Sequence, residues 1–340
     1  MLNIVQETVQ IIQSRFFPYV SAKHIHQFRF GVQAFTLSSF ESLKSNARLV
    51  VANTNTAHSK MHRLTSNTEI IESFHTIIPH LQVLTKESVV IIDFSDFCGF
   101  QTLTFALQTR EGRAIPVFFD CITYPITEAT SQNIFIQECV KKLGEILGFY
   151  PRFVLDRGFT IPSLITFFVE QQVLFYVRAK KGKGVAIIDE EGNEQILPAS
   201  QIQAYDKTMK AYGYQLRLII SEKPKDKEEP WYIITNDFDS KRKAIIEIYY
   251  YRFEIEEAFK DLKHLFDLKK LRIKHKHTFR ILLWFFILSM WIAYCIHRLK
   301  EQSKQEEKQK LSFVREWYEG FHRSMFLAVF NLVSHSDTFY

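Results

Sequence analysis

The sequence predicts an α/β fold: a mixed sheet with flanking helices, interrupted by a β-rich stretch, with a helical module in front. Three observations predict it. Val89–Phe94 (VVIIDF), Leu103–Gln108 (LTFALQ) and Ile115–Ile122 (IPVFFDCI) are short apolar runs parted by turn-like polar residues, the pattern of a strand meander. Beyond them, strand-like and helix-like stretches alternate, as they do in α/β cores. Before residue 85 or so the apolar residues recur with helical spacing instead.

Composition sets the outer bounds. At 340 residues the chain holds about two domains, or one with an insertion. With 46% hydrophobic and 24% charged residues it is neither disordered nor collagenous. A net charge of +6 permits nucleic-acid binding without demanding it. Cys98, Cys121, Cys139 and Cys295 are scattered, with no zinc-site spacing, and read as reduced thiols of a cytoplasmic protein. Glu and Gln interrupt the N-terminal run where a signal peptide would be apolar.

The elements follow in order. Residues 1–85 form the helical module, with helix starts expected at Thr36–Ser38 and Ser66–Glu69. His58, Lys60, His62 and Arg63 make one of its helices basic, which suits either a solvated face or DNA binding. After the meander, helices are expected over Gln132–Leu147 and Pro162–Glu170, with the apolar run FVLDRGF (Phe153–Phe159), ending in a polar turn, between them. Residues 173–238 are β-rich: VLFYVRAK, GVAIID, YQLRLIISE and PWYIITND are strand candidates, and Lys223–Pro230 is an exposed loop. A helix is expected from Ser240 to about Leu268. The apolar run Ile281–Ile296 spans 16 residues, short of the roughly 20 that a bilayer requires, and reads as a core helix, with a membrane helix as the alternative. The core domain thus covers 86–300, and 301–340 is a charged linker followed by a helical tail.

Three carboxylates stand where chemistry could use them. Asp93 follows Val89–Ile92, and Asp156 follows Phe153–Leu155 and precedes Arg157-Gly158, where glycine would permit a tight turn. Each can be read as a turn cap or as a ligand-binding strand end. Asp96 rivals Asp93 but would face the other way if the strand continued. On the later helix, Tyr249, Arg252, Glu256 and Lys263 fall within roughly 60° of one another at helical pitch, beside an apolar stripe of Ile248, Tyr251, Ile255, Phe259, Leu262 and Phe266. Alone, Arg252 and Glu256 would be an ordinary i,i+4 pair. Together the three carboxylates suit two Mg²⁺ ions acting on a phosphodiester, because hard oxygen ligands fit that metal.

Tyr249-x2-Arg252-x3-Glu256-x6-Lys263, inside YYYRFEIEEAFKDLKHL, resembles the signature of DDE transposases of the insertion-sequence-four family. LDRGF resembles the segment around that family's second aspartate, and VVIIDFS with GRAIPVFF the segment around its first. The resemblance covers roughly residues 85–300. It implies an RNase H-like fold with a β-rich insertion, cut-and-paste DNA transposition, and two Mg²⁺ ions, with Mn²⁺ as a substitute. It also implies that Asp93, Asp156 and Glu256 are catalytic metal ligands, and that Tyr249, Arg252 and Lys263 contact DNA. Some members pass through a DNA hairpin and use tryptophans on a flipped base; Trp231 and Phe253 are the candidates for base handling. Lys269, Lys270, Arg272, Lys274, Lys276 and Arg280 form a basic stretch suited to a DNA backbone. The partners expected are double-stranded DNA, as terminal inverted repeats and target, and a second copy of the chain in a synaptic complex, with no membrane. The alternative is a catalytically silent, transposase-derived DNA-binding protein.

Overall fold

The computed structural model describes residues 10–36, 42–81, 84–122, 131–179, 184–188, 194–198, 206–222, 230–265, 268 and 273–303. The meander forms β1 (Val89–Phe97), β2 (Phe100–Leu107) and β3 (Ile115–Cys121). Helix α5 (Gln132–Leu147) leads to β4 (Arg152–Leu155), and α6 (Pro162–Glu170) to β5 (Phe175–Arg178). Then come β6 (Gly184–Ile188), β7 (Glu194–Pro198), β8 (Asp206–Ala211), β9 (Tyr214–Ile220) and β10 (Tyr232–Thr235). Helices α1 (Ile25–Gly31), α2 (Leu43–Val50), α3 (Thr54–Ser66) and α4 (Ile70–Ile77) precede the sheet; α7 (Arg242–Tyr250), α8 (Glu254–Lys260) and α9 (Lys276–Ser303) follow it.

Among the described residues these strands make one ten-stranded sheet in the order β3-β2-β1-β4-β5-β10-β9-β8-β6-β7. Pairing is antiparallel from β3 to β1 and parallel from β1 through β4 to β5. It is antiparallel again from β5 outward. The β-rich stretch is therefore continuous with the main sheet, and its first strand, β5, belongs to the parallel section. Strands β7 and β8 were not expected: EQILP and DKTMKA are too short and polar to stand out.

The apolar run at 281–296 lies in α9 and is buried along its whole length. Phe28, Phe35 and Phe74 of the helical module pack on Phe285 at 5.0–5.9 Å between ring centres. On the sheet side, the Trp291 indole N–H donates to the Pro116 carbonyl at 2.8 Å. The helix is long and apolar enough to cross a membrane, and here it joins the module to the sheet. Gly31 admits this packing, since a Cβ there would overlap the Phe285 ring.

Local signals partly differ from expectation. Ser42 caps α2 and Asn53 caps α3 through their side-chain oxygens. Before α4 it is the Asn67 side chain that accepts a backbone N–H, from Glu69 at 3.0 Å. Residues 37 and 38 of the other expected start, Lys223–Glu229 and the 304–340 tail lie outside the described residues. The expected helix from Ser240 to Leu268 is α7 and α8 joined by a 3-10 turn at Tyr251–Phe253 and followed by a π turn at Asp261–Leu265.

Candidate active site

Sheet register builds the centre of the site. Ile92 is paired with Leu155 across the parallel β1–β4 ladder. The next residue on each strand is an aspartate, so Asp93 and Asp156 stand side by side on one face, about one strand spacing apart. Asp93 lies in the middle of β1 and not at its end; it is β4 that stops there. Asp96, three residues on, turns its carboxylate to the β1–β2 hairpin and accepts the Gly99 N–H at 3.2 Å. Asp156 leads into a 3-10 turn at Arg157–Phe159. Gly158 has no left-handed φ and a Cβ there would meet open space, so the turn itself does not require glycine.

The helix region 242–265 supplies the rest. Tyr249, only 1% exposed, packs into the core between α7 and the sheet. Its hydroxyl donates to Asp156 Oδ1 at 3.5 Å. Arg252 is 6% exposed and lies between carboxylates, with Nη2 3.1 Å from Glu256 Oε1 and Nη1 3.7 Å from Asp93 Oδ2. The pair is i,i+4 as expected, but its arginine is buried while Glu256 stays exposed.

Electrostatics mark the cluster. Burial pushes the Asp93 carboxyl up to about 6, against the pull of the Arg252 guanidinium and the Phe94 N–H, with Asp156 and Glu256 adding repulsion. Desolvation disfavours the Arg252 charge, yet Tyr249, Asp156, Asp93 and Glu256 together hold its pKa above the ordinary value. Burial likewise raises the Tyr249 phenol, keeping it protonated as a donor. The donor set is all hard oxygen and short of positive charge, which fits divalent cations such as Mg²⁺. The three carboxylates do not by themselves enclose an ion: among the described residues no such closed cluster is formed, because Arg252 occupies the gap between Asp93 and Glu256.

Of the other expected site residues, Trp231 and Phe253 pack beside Tyr249 and Arg252, and the basic ones are dispersed. Lys263 sets its ammonium 5.2 Å from the Phe97 ring centre, on the π turn beyond α8. Trp231 is 3% exposed and packs against Tyr249, Tyr250 and Phe253 at 5.3–6.4 Å. Phe253 also stacks under the Arg252 guanidinium at 4.4 Å. Lys274 is exposed and Lys276 half-buried at the start of α9, while Arg280 pairs with Asp120 at 3.3 Å. Lys269, Lys270 and Arg272 lie outside the described residues. Sequence reasoning missed Glu254, a buried acid two residues before Glu256 whose carboxylate accepts three backbone N–H groups.

Asp93 of β1, Asp156 just past β4 and Glu256 of α8 thus lie around Arg252. Residues 135–292 match the transposase DDE domain. The match includes Asp156, Tyr249, Arg252, Glu256 and Lys263 and begins after Asp93. Among curated proteins none matches the chain. A cryo-EM structure of a piggyBac transposase synaptic complex with hairpin DNA is similar over 99% of this chain and 80% of its own, at 13% identity and a TM-score of 0.47.

Proposed function

We propose that this chain is a DDE transposase resembling the insertion-sequence-four family. It would bind terminal inverted repeats, nick DNA to expose 3′-hydroxyls and join them to target DNA. The observation that carries the reading is the register placing Asp93 beside Asp156, with Glu256 brought to them through Arg252. The order β3-β2-β1-β4-β5, antiparallel and then parallel, supports an RNase H-like core, with β6–β10 as the β-rich insertion.

Asp93, Asp156 and Glu256 would hold two Mg²⁺ ions, or Mn²⁺ in their place. Such ions activate an attacking water or 3′-hydroxyl and stabilise the leaving oxygen. Around them, the Tyr249 hydroxyl orients Asp156, and Arg252 neutralises Asp93 and Glu256 until cations and a phosphate enter. Its guanidinium then suits a bidentate phosphate contact. Residues 1–85 would be the DNA-binding module. A cleft of about 460 Å³ there is lined by His26, Arg29, Lys60 and Arg63, with Lys23 at its wall already paired to Glu69, a basic surface suited to backbone phosphates. Joining two ends would use two copies of the chain.

The test is nicking and strand transfer on the DNA flanking the gene, with Mg²⁺. Glu256→Gln and Asp156→Asn should each lower the rate by at least about a thousandfold, roughly 4 kcal/mol of transition-state stabilisation. Wild-type rates in either variant would overturn the reading. DNA binding without cleavage by the wild-type chain would favour the catalytically silent alternative.

A further inference from the structure

The turn between β2 and β3 is fastened to the helical segment that carries Arg252 and Glu256, and one buried side chain makes three of the hydrogen bonds. Glu254 is 4% exposed and accepts the backbone N–H groups of Thr109 at 2.9 Å, Arg110 at 3.2 Å and Gly112 at 2.8 Å. Arg110 and Gly112 have φ of 65° and 85°, the left-handed conformation. Alternating hand aims successive N–H groups at one point, a concavity suited to an anion. Here the anion is a carboxylate from a helix some 140 residues along the chain. The Glu254 carbonyl also accepts the Ala114 N–H at 3.2 Å, and Arg113 reaches Asp261, five residues beyond Glu256, at 3.0 Å.

Both ends of this connection lead to the site. Glu254 and Glu256 flank Ile255 at the start of α8, directly after the 3-10 turn, where helix winding changes and the direction of Glu256 is decided. Strand β2 runs back from the turn to Thr104, the cross-strand partner of Asp93. We propose that Glu254 is a positioning residue: by filling the β2–β3 turn it fixes Glu256 relative to Asp93. The inference rests on the reading of these carboxylates as a divalent-cation site for DNA cleavage.

The experiment uses the full chain and a supercoiled plasmid carrying the DNA that flanks the gene, with nicking titrated in Mg²⁺ and, separately, Mn²⁺. Glu254→Gln weakens the clamp from the helix side. Gly112→Ala strains the turn from the other side, where a Cβ meets open space but the φ is unfavourable. Both variants should fold, as judged by circular dichroism, and bind DNA in EDTA like the wild type. Each should need about tenfold more metal for half-maximal nicking and turn over more slowly at saturation, the scale expected when a residue supporting a metal ligand is lost. Variants that melt earlier but keep the wild-type metal midpoint and rate per folded molecule would overturn the positioning role while leaving the transposase reading intact. A wild-type chain that fails to nick, matching Glu256→Gln at every metal concentration, would overturn both.

Discussion

Strands β1 and β4 turn one face to an aromatic core and the other to the carboxylates, using alternating residues of the same short runs. On the first face Val90, Ile92, Phe153 and Leu155 are fully buried. Phe105, Phe153, Phe168 and Phe175 continue it as successive ring contacts at 5.5–6.1 Å across β2, β4, α6 and β5. On the second, Val154 joins Tyr176, Trp231 and Tyr249 in a smaller cluster, and one step further along stand Asp93 and Asp156. The difference teaches where the fold stores its stability and where it spends it. Dry packing on one side fixes the register. A register so fixed holds two aspartates side by side on the other, where their repulsion and desolvation would otherwise push the strands apart.

Breaking the dry face should therefore have the larger effect on stability. Phe153→Ala removes a ring in contact with Phe105 and Phe168, and should cost about 3–5 kcal/mol in denaturant unfolding. A cost below about 1 kcal/mol would mean that the two faces do not divide their roles in this way.

The carboxylate face should respond with the opposite sign. The Asp93 carboxyl titrates near 6 in the folded chain against an ordinary 3.8, so the folded state binds this proton more tightly than the unfolded one. Stability from this group is complete below about pH 4, falls as pH rises through 6, and stays low above it. The shift corresponds to at most about 3 kcal/mol. In EDTA at pH 8, Asp93→Asn should therefore melt higher than the wild type, and at pH 4 the difference should vanish. Mg²⁺ should raise the wild-type melting temperature at pH 8 and leave the variant's unchanged. A variant less stable than the wild type at pH 8 would show that Arg252 already compensates Asp93 in full.

The same division explains what could be read from the sequence. A buried strand must be apolar, so a carboxylate directly after VVII or FVL stands out, and Asp93 and Asp156 were legible for that reason. That they are neighbours depends on β1 pairing with β4, 63 residues apart, which no local pattern encodes. The helix was legible as a helix, but projection at uniform pitch was wrong in detail. Tyr249 and Arg252 of the expected polar edge are buried while Tyr251 of the expected apolar stripe is only half-buried, and a 3-10 turn at Tyr251–Phe253, about 120° per residue, breaks the uniform pitch. Glu254 was illegible: in EIEE nothing distinguishes the acid that is buried from those that are not, because a distant turn makes the choice. The strands after β5 were legible mostly as strands, while their continuity with the main sheet depends on the β5–β10 pairing.

The smallest expected effect lies where the two faces of the chain's chemistry meet, at Tyr249. Its ring belongs to the packed cluster with Trp231 at 5.3 Å, and its hydroxyl reaches Asp156 at 3.5 Å, the outer limit of a hydrogen bond. Tyr249→Phe keeps the ring and deletes only the donor, so unfolding free energy should change by less than about 1 kcal/mol. Cleavage should fall several-fold, because Asp156 loses a group that orients it, while DNA binding in EDTA stays as in the wild type. Tyr249→Ala should instead lose several kcal/mol, roughly the value of a buried aromatic ring. If the phenylalanine variant cleaved at the full rate, Tyr249 would belong to the packing alone, and the boundary between the two roles would run between the tyrosine ring and Asp156.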